Sequence, residues 1–527
     1  MRKKRLIKTG LWLMAVVLFV GCTNEDAVQK TDQDSNKNSN IVANFMGVQK
    51  TPNTPAKSRT TATHTVGNPA KVEWEATDRI LVKAVDGTWH QSEPAQFLSA
   101  DHSRANFKLT SGTYGFNPEV QYWGSGYQGS IMHIQTQNIP NDFGHLGVSG
   151  DCGNATARGG GGDYEFTLEH RASYLCFLPR CTDAALGPNI KLQQIEVEDD
   201  NYKRIAGQGY TFSNNGSLSD PMYPRMSKNK ITLKLNDFPL DNTTTDIDKN
   251  GAYMVLEPGT FDFTIRYTIH DATTNVTGVI TKKLPNFNCP EGKIKDITTN
   301  LVPQADKYYM WDAKYDYWYN HLKADGTPDG DYPKNNTDPR WCHEGSGVVA
   351  TESCKDCPNV NEICWYVMKG DAHWVDNAES RLIVNMGHLQ KVNVGGVWLR
   401  KKSAIVAYLK ANEGYPANFT EADLKVGYKT SASVAPKDYT LQYAYFNAPV
   451  TLGTPAPIED YFFLPALGIY SFGGALNFFG SIGNYWSASE SSWHIPYSAH
   501  SLTFSNSVIA VGGRSERYYG YSVSSFE

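Results

Sequence analysis

The chain has 527 residues, a formal net charge of −5, and 20% charged, 40% hydrophobic and 12% aromatic side chains. That length suffices for about three domains. A mildly acidic balance, with no lysine–arginine cluster beyond the first ten residues, argues against a nucleic-acid partner. Helical periodicity is rare before residue 357, so the bulk of the chain is expected to be β.

The first predicted element is an address. "MRKKRLIKTG" is basic, and "LWLMAVVLFV" (11–20) is an apolar run of ten that ends at Gly21-Cys22. A membrane span needs roughly 20 apolar residues, so this order reads as a secretory signal over 1–21 and not as an anchor. Phe19-Val20-Gly21-Cys22 resembles a bacterial lipobox, which implies lipidation of Cys22 and attachment to the outer membrane. Residues 22–40, polar and acidic, have nothing to bury and are read as a flexible tether.

From residue 41 the chain alternates with a period of two. "NIVANFMGVQ" (40–49) is a first strand. "KVEWEATDRILVKAVDG" (71–87) alternates around Trp74 and turns through Asp78 into Ile80 and Val82. "ARGGGGDYEF" (157–166) has four glycines, but neither a following helix nor GK[ST], so it reads as a linker and not a phosphate cradle. A second strand series follows, including "YEFTLEHRASYLCFLPRC" (164–181), read as one long strand or two, and "AYMVLEPGTFDFTIRYTIHD". Short strands at this spacing indicate a Greek-key sandwich.

Trp74-x₃-Asp78-x-Ile80, the His-containing "FTLEHRASYLCF" and the Pro-Gly strand "YMVLEPGTFDFTIRYTI", in that order behind a lipobox, resemble fimbrillin-family pilus subunits of the tip type over residues 41–303. The resemblance implies two tandem transthyretin-like β-sandwiches, 41–162 and 163–303. It also implies a protease cut after an arginine that removes the first strand, and a neighbouring subunit's strand filling the open groove. Arg59 in "KSRTT" lies between Cys22 and Trp74 with no other arginine and is the expected cut site. The expected partners are other pilus subunits by strand exchange, and the outer membrane through the lipid before processing. The expected location is the outer membrane, the cell surface and the fimbrium.

Composition changes near residue 304. Eight of the twelve tryptophans lie from Trp311 onward. Asp325, Asp329 and Asp331 lack the EF-hand order of ligands, so no calcium site is expected. Cys342, His343, Cys354, Cys357 and Cys364 fall within 23 residues. Disulfides among the four cysteines are expected in an exported chain, ahead of free thiols or zinc. Pro358 in the first turn and Gly370 past the end frame a helix of about twelve residues, with Val360, Ile363, Cys364 and Val367 as its buried stripe. A strand and short helices follow in "GGVWLRKKSAIVAYLKANEG" and "FTEADLKVGY". "AHSLTFSNSVIAVGGRSERYYGYSVSSF" reads as a strand, a Gly-Gly turn and a closing strand.

"CPNVNEICWYVMKG", "FFLPALG", "GNYWSAS" and "RYYGYSV", in this order, resemble a C-type-lectin-like module over 304–527. That resemblance implies an α+β adhesive domain. The Glu-Pro-Asn, Gln-Pro-Asp and Trp-Asn-Asp motifs of calcium-dependent sugar binding are absent. Within "GNYWSASESSWHIPYSAHSLTFSNS", Trp486 is expected in the core. Trp493, His494 and Tyr497 are expected at the surface as ligand contacts, because aromatic rings stack on sugars and anchor protein contacts.

An enzyme is not expected. Formylglycine-generating oxidases share the module's fold but need a cysteine pair near the end, and no cysteine follows Cys364. A glycosidase needs paired carboxylates, and nothing in the sequence pairs Glu490 with Asp460. No cofactor and no metal is expected. The leading expectation is a fimbrial tip adhesin with a carbohydrate or protein receptor. The alternative is a glycan-binding surface lipoprotein that never polymerises.

Overall fold

The computed structural model describes residues 42–49, 64–68, 70, 73–125, 129–303, 305–323, 328–347, 349–440, 442–494 and 496–527. Cys22, Arg59, the signal segment and the tether lie outside the described residues. The chain is mainly β, built from several open sheets, and among the described residues the longer helices all follow residue 359.

Two five-stranded sheets enclose the first core. One runs, edge to edge, through Arg158–Gly160, Asp163–Thr167, Ala43–Val48, Arg104–Leu109 and Gln96–Phe97. The other runs through Glu169–His170, Gly153–Thr156, Glu119–Tyr122, Leu81–Lys83 and Trp89–Gln91. Alternate side chains of each strand point inward. Phe45, Phe107, Tyr164 and Phe166 of the first sheet meet Val82, Val120 and Tyr122 of the second, with Trp74 between them.

The glycine run is not a linker. Arg158–Gly160 pairs with Asp163–Thr167 as a hairpin, turning through Gly161 and Gly162 at φ +66° and +99°, where a side chain is disfavoured. Tyr164, Phe166 and Leu168 belong to the first core. The division expected at 162/163 therefore falls inside a hairpin. The run 164–181 breaks into three strands, because its first two belong to the first core and only Ser173–Arg180 enters the second.

The second core lies between a five-stranded sheet and a three-stranded one. The larger is ordered Val276–Cys289, Gly259–Asp271, Ile190–Asp199, Lys230–Pro239, Ile134–Gln137, and the smaller Ala252–Leu256, Ser173–Arg180, Ile294–Asn300. Ile134–Gln137 comes from the stretch assigned by sequence to the first domain. It pairs in parallel with Lys230–Pro239, and Ile131, Phe143 and Leu146 pack in the second core. The chain thus crosses over and returns.

The crossing strand also closes an edge. The Gln137 amide donates to Gly251 O at 3.0 Å and accepts from Tyr253 N–H at 2.7 Å. The Gln135 amide donates to Val255 O at 2.7 Å and accepts from Val255 N–H at 3.0 Å. Two buried side chains stand in for a missing neighbour strand along Ala252–Leu256 and satisfy its outward backbone groups.

The C-terminal region packs two four-stranded sheets with three helices around a further core. The first helix is Val360–Lys369, shorter than expected. Asn359 caps it, and Glu362 reaches back to complete a capping box, so Pro358 lies outside the first turn. Trp365 and Tyr366 are buried along with the expected stripe, because sheet strands and the helix Glu421–Val426 press on several of its faces. The strand His388–Arg400 and the helices Lys402–Asn412 and Glu421–Val426 follow. The last long hairpin pairs Ser498–Phe504 with Val508–Glu516 and turns at Ser505–Ser507, where Ser505 N–H bonds Val508 O. Gly512 and Gly513 are inside the strand, not at the turn. The segment "RYYGYSV" makes isolated bridges through Gly520, Tyr521 and Ser522, not a full closing strand.

The hairpin 373–400 reaches out of this region. Its tip places Leu389, fully buried, in the second core. Asp271 accepts His388 Nδ1 and the Leu389 N–H, each at 3.0 Å, and Asn189 donates to Gly387 O at 2.8 Å.

Candidate functional site

The leading strand Ala43–Val48 is an interior strand. It runs antiparallel to Arg104–Leu109, with Phe45 opposite Phe107, and parallel to Asp163–Thr167, with Phe45 opposite Tyr164. Phe45 stacks on Tyr164 at 4.5 Å. Two residues on, Gly47 gives the Trp74 indole N–H its acceptor at 3.2 Å. A Cβ at Gly47 would stand 2.8 Å from both Phe166 and Trp74. The strand therefore fits a slot with one deep pocket and one floor that admits no side chain.

The residues of the Trp-Asp-Ile signature have local roles. Trp74 and Ile80 fill the core. Asp78 is buried, accepts Glu75 N–H at 2.7 Å to hold the turn, and takes the Tyr122 hydroxyl at 2.9 Å. Burial pushes its carboxyl up to about 7, helped by the nearby charges of Glu75 and Asp151 and opposed by those two hydrogen bonds. Asp78 lines a cavity of about 450 Å³ with Glu75, Tyr122, Asp151, His170 and Tyr174. His170, from the family's His-containing strand, bonds Asp151 at 2.8 Å and reaches Gln49 at 3.4 Å, just past the leading strand. Burial alone would lower the His170 pKa, but the Asp151 charge and hydrogen bond outweigh it and raise it. Sequence reasoning missed this cavity, because its acids come from distant turns.

In the C-terminal region the expected ligand contacts divide. Trp486 is buried, stacks on Tyr521 at 4.2 Å and donates to Tyr309 O at 2.7 Å. Trp493, His494 and Tyr497 are all exposed. His494 and Tyr497 sit in one turn with rings 5.2 Å apart. One face of Trp493 is already occupied, since the Arg514 guanidinium lies 3.8 Å above its ring, with Tyr443 5.2 Å away. Beside this stack a concavity of about 500 Å³ is lined by Tyr443, Tyr445, Arg514, Tyr519 and Tyr521, with Gly512 and Gly513 as its floor. Arg514, Tyr443 and Tyr445 were not legible as a site, since a chain reversal brings 443–445 against 512–515.

A buried network supports this face. His500 accepts Ala444 N–H at Nε2, 3.2 Å, and donates from Nδ1 to Glu490 O at 2.6 Å. Burial lowers its pKa to about 4, so it is neutral. Glu490 takes Arg517 at 2.9 Å and Gly347 N–H at 2.6 Å, while Asp460 sits in an exposed turn. Arg517 also donates to Ser498 O, His343 O and Gly345 O and stacks on Trp311 at 4.2 Å.

The disulfides expected among Cys342, Cys354, Cys357 and Cys364 are not formed. All eight described cysteines are unbonded and buried. The four are spread over separate clusters: Cys342 packs near Tyr308 and Trp318, Cys354 and Cys357 near Trp311, and Cys364 inside the helix core. Cys354 and Cys357 do touch. Burial first, then hydrogen bonding to Cys357, raises the Cys354 pKa, and the same bond lowers that of Cys357. Asp329 pairs with His321 at 3.0 Å and Asp331 with Lys334 at 2.9 Å, while Asp325 is outside the described residues. One mixed donor group exists among those residues: His64, Cys176 and Asp296 come within 4.8 Å. Asp296 is met there by His64 at 2.6 Å and Gly67 N–H at 2.7 Å.

No family model matches the chain, and no curated protein matches it significantly. Among solved structures it is similar to a candidate cell adhesion protein from Bacteroides ovatus, at 10% identity and TM-score 0.30, covering 49% of this chain and 92% of that one. It is also similar to the fimbrial anchor protein Mfa2 from Porphyromonas gingivalis, at 13% identity and TM-score 0.22, covering 49% and 89%. A fimbrial protein from Bacteroides ovatus aligns over 92% of this chain and 98% of its own, at 11% identity and TM-score 0.21. At such scores the likeness decides neither fold nor role, and the reading below rests on the chain's own residues.

Proposed function

We propose that this protein is a surface-exported pilus subunit and adhesin of the tip type. Cys22 carries a lipid that holds it on the outer membrane, and cleavage after Arg59 frees the leading strand. A strand of another subunit takes its place between Arg104–Leu109 and Asp163–Thr167. The C-terminal region, a C-type-lectin-like head, presents Trp493, His494 and Tyr497 to a receptor.

The observation that carries this reading is the interior position of Ala43–Val48. Losing an edge strand would expose one row of backbone groups. Losing this one exposes two facing rows and a deep aromatic pocket, which a β-strand of another chain satisfies. Arg59 lies in the connection between this strand and Trp74, so one cut detaches the strand. No catalytic role is proposed, since both Glu490 oxygens are engaged.

The test is mass spectrometry of the mature N-terminus on protein from its native surface. An N-terminus at Thr60 is the expected result. A lipidated Cys22 on the whole population would overturn polymerisation and leave the alternative, a static glycan-binding lipoprotein.

A further inference from the structure

The concavity beside Trp493 contains a cation with no counter-ion among the described residues. Arg514 is exposed, and among the described residues its side chain makes no hydrogen bond or ion pair, only its stacking contacts with Trp493 at 3.8 Å and Tyr443 at 5.9 Å. Stacking uses the face of the guanidinium. Its N–H donors lie in the plane and stay available to a planar acceptor.

The same chain shows how it completes such a unit. Arg517, three residues on, also lies over a tryptophan, Trp311 at 4.2 Å, and there Glu490 supplies the carboxylate at 2.9 Å. Arg514 on Trp493 repeats the arrangement at the surface without the acid. We propose that the missing acid comes from the ligand, and that this groove binds a carboxylate-bearing sugar residue of a glycan. The proposal rests on the adhesive reading of the C-terminal region and names its ligand class.

The remaining lining suits a sugar. Tyr443, Tyr445 and Tyr519 line the groove, and tyrosine rings pack on the C–H faces of a pyranose while their phenol groups bond its hydroxyls. A volume of about 500 Å³ falls within the range of small-ligand sites, roughly 300–1,000 Å³. The walls are held in place. The Gly513 carbonyl accepts the Ser491 hydroxyl at 2.5 Å. A Cβ on Gly513 would stand 2.7 Å from the Tyr443 ring. His500 fixes Ala444, between the two tyrosines, from behind.

The experiment uses the full chain and paired probes: 3′-sialyllactose against lactose, and trigalacturonate against its methyl ester. Titration is followed by fluorescence and calorimetry. At least one acid is expected to bind about tenfold or more tightly than its neutral partner, as a charge-assisted bidentate contact provides. Arg514→Ala is expected to abolish that preference, and Arg514→Lys to retain part of it. Tyr445→Ala should weaken acid and neutral probes alike. Both positions are exposed, so thermal melts should match the parent. Equal binding of acid and neutral probes, lost in Y445A, would overturn the acidic-sugar proposal and leave the adhesive face standing. Preferential binding of poly-glutamate peptide would overturn the sugar and favour an acidic protein partner. No probe binding, with cell attachment unchanged in R514A and Y445A, would overturn both the proposal and the adhesive reading of this face.

Discussion

Asp78 and His500 are both buried titratable groups, and they respond to pH in opposite senses. Asp78 has its pKa raised by burial, from 3.8 to about 7. The folded chain therefore binds the extra proton, and its contribution is full below about 4 and lost as pH rises through about 7. At about 1.4 kcal/mol per unit, the loss is on the order of a few kcal/mol. Asp78→Asn should flatten the fall in stability between about pH 4 and 7, measured by denaturant unfolding at each pH. An unchanged slope would mean the carboxylate is charged in the fold. His500 is lowered by burial, from 6.5 to about 4. Its contribution is full above about 6.5 and lost as pH falls through about 4, costing up to about 3 kcal/mol. Tryptophan fluorescence reports mainly on residues 304–527, which hold eight of the twelve tryptophans. Its unfolding midpoint should drop as pH falls through that window, and less so in His500→Gln.

The leading strand makes the sharpest demand among the elements. Its slot wants an aromatic at the Phe45 register and glycine two residues later, where a Cβ would strike Phe166 and Trp74. In a chain beginning at Thr60, a peptide of residues 40–49 should restore the lost melting temperature, and the same peptide with Gly47→Val should not. Overpacking of this kind costs roughly 1–3 kcal/mol. Equal rescue by both peptides would show that the slot is not read side chain by side chain. A second element depends on borrowed hydrogen bonds. Gln137→Leu would leave the Tyr253 N–H buried without its partner, while Gly251 O keeps only the Asn141 N–H at 2.8 Å. At about 1–3 kcal/mol for one such buried group, chemical denaturation should register a loss of roughly 1–3 kcal/mol. A loss under about 0.5 kcal/mol, the size of an ordinary surface change, would mean that water or a shifted strand replaces the amide.

At the scale of the whole molecule, the C-terminal region is joined to the second core through the hairpin tip, where Leu389 is buried and Asp271 holds His388. Much of what precedes this was legible from local pattern. The period-two alternation marked strands through residue 303, although among the described residues of the stretch 71–87 only Leu81–Lys83 forms one; the burial of Trp486 was expected, and so was the exposure of Trp493, His494 and Tyr497. These are consequences of local spacing and polarity, which act within a few residues. The sequence by itself determined the β character of residues 41–303, where the longer helices fall and the exposure of Trp493, His494 and Tyr497. Only the tertiary structure decided that the glycine run is a hairpin, that Ile134–Gln137 crosses to the second core and that the four grouped cysteines divide among three clusters. It alone placed Tyr443 and Arg514 in one groove. The hairpin pairs residues within about seven positions of one another, but the other features depend on contacts between residues tens to hundreds of positions apart. Such contacts are selected by the shared burial of whole faces, a quantity that no local window contains.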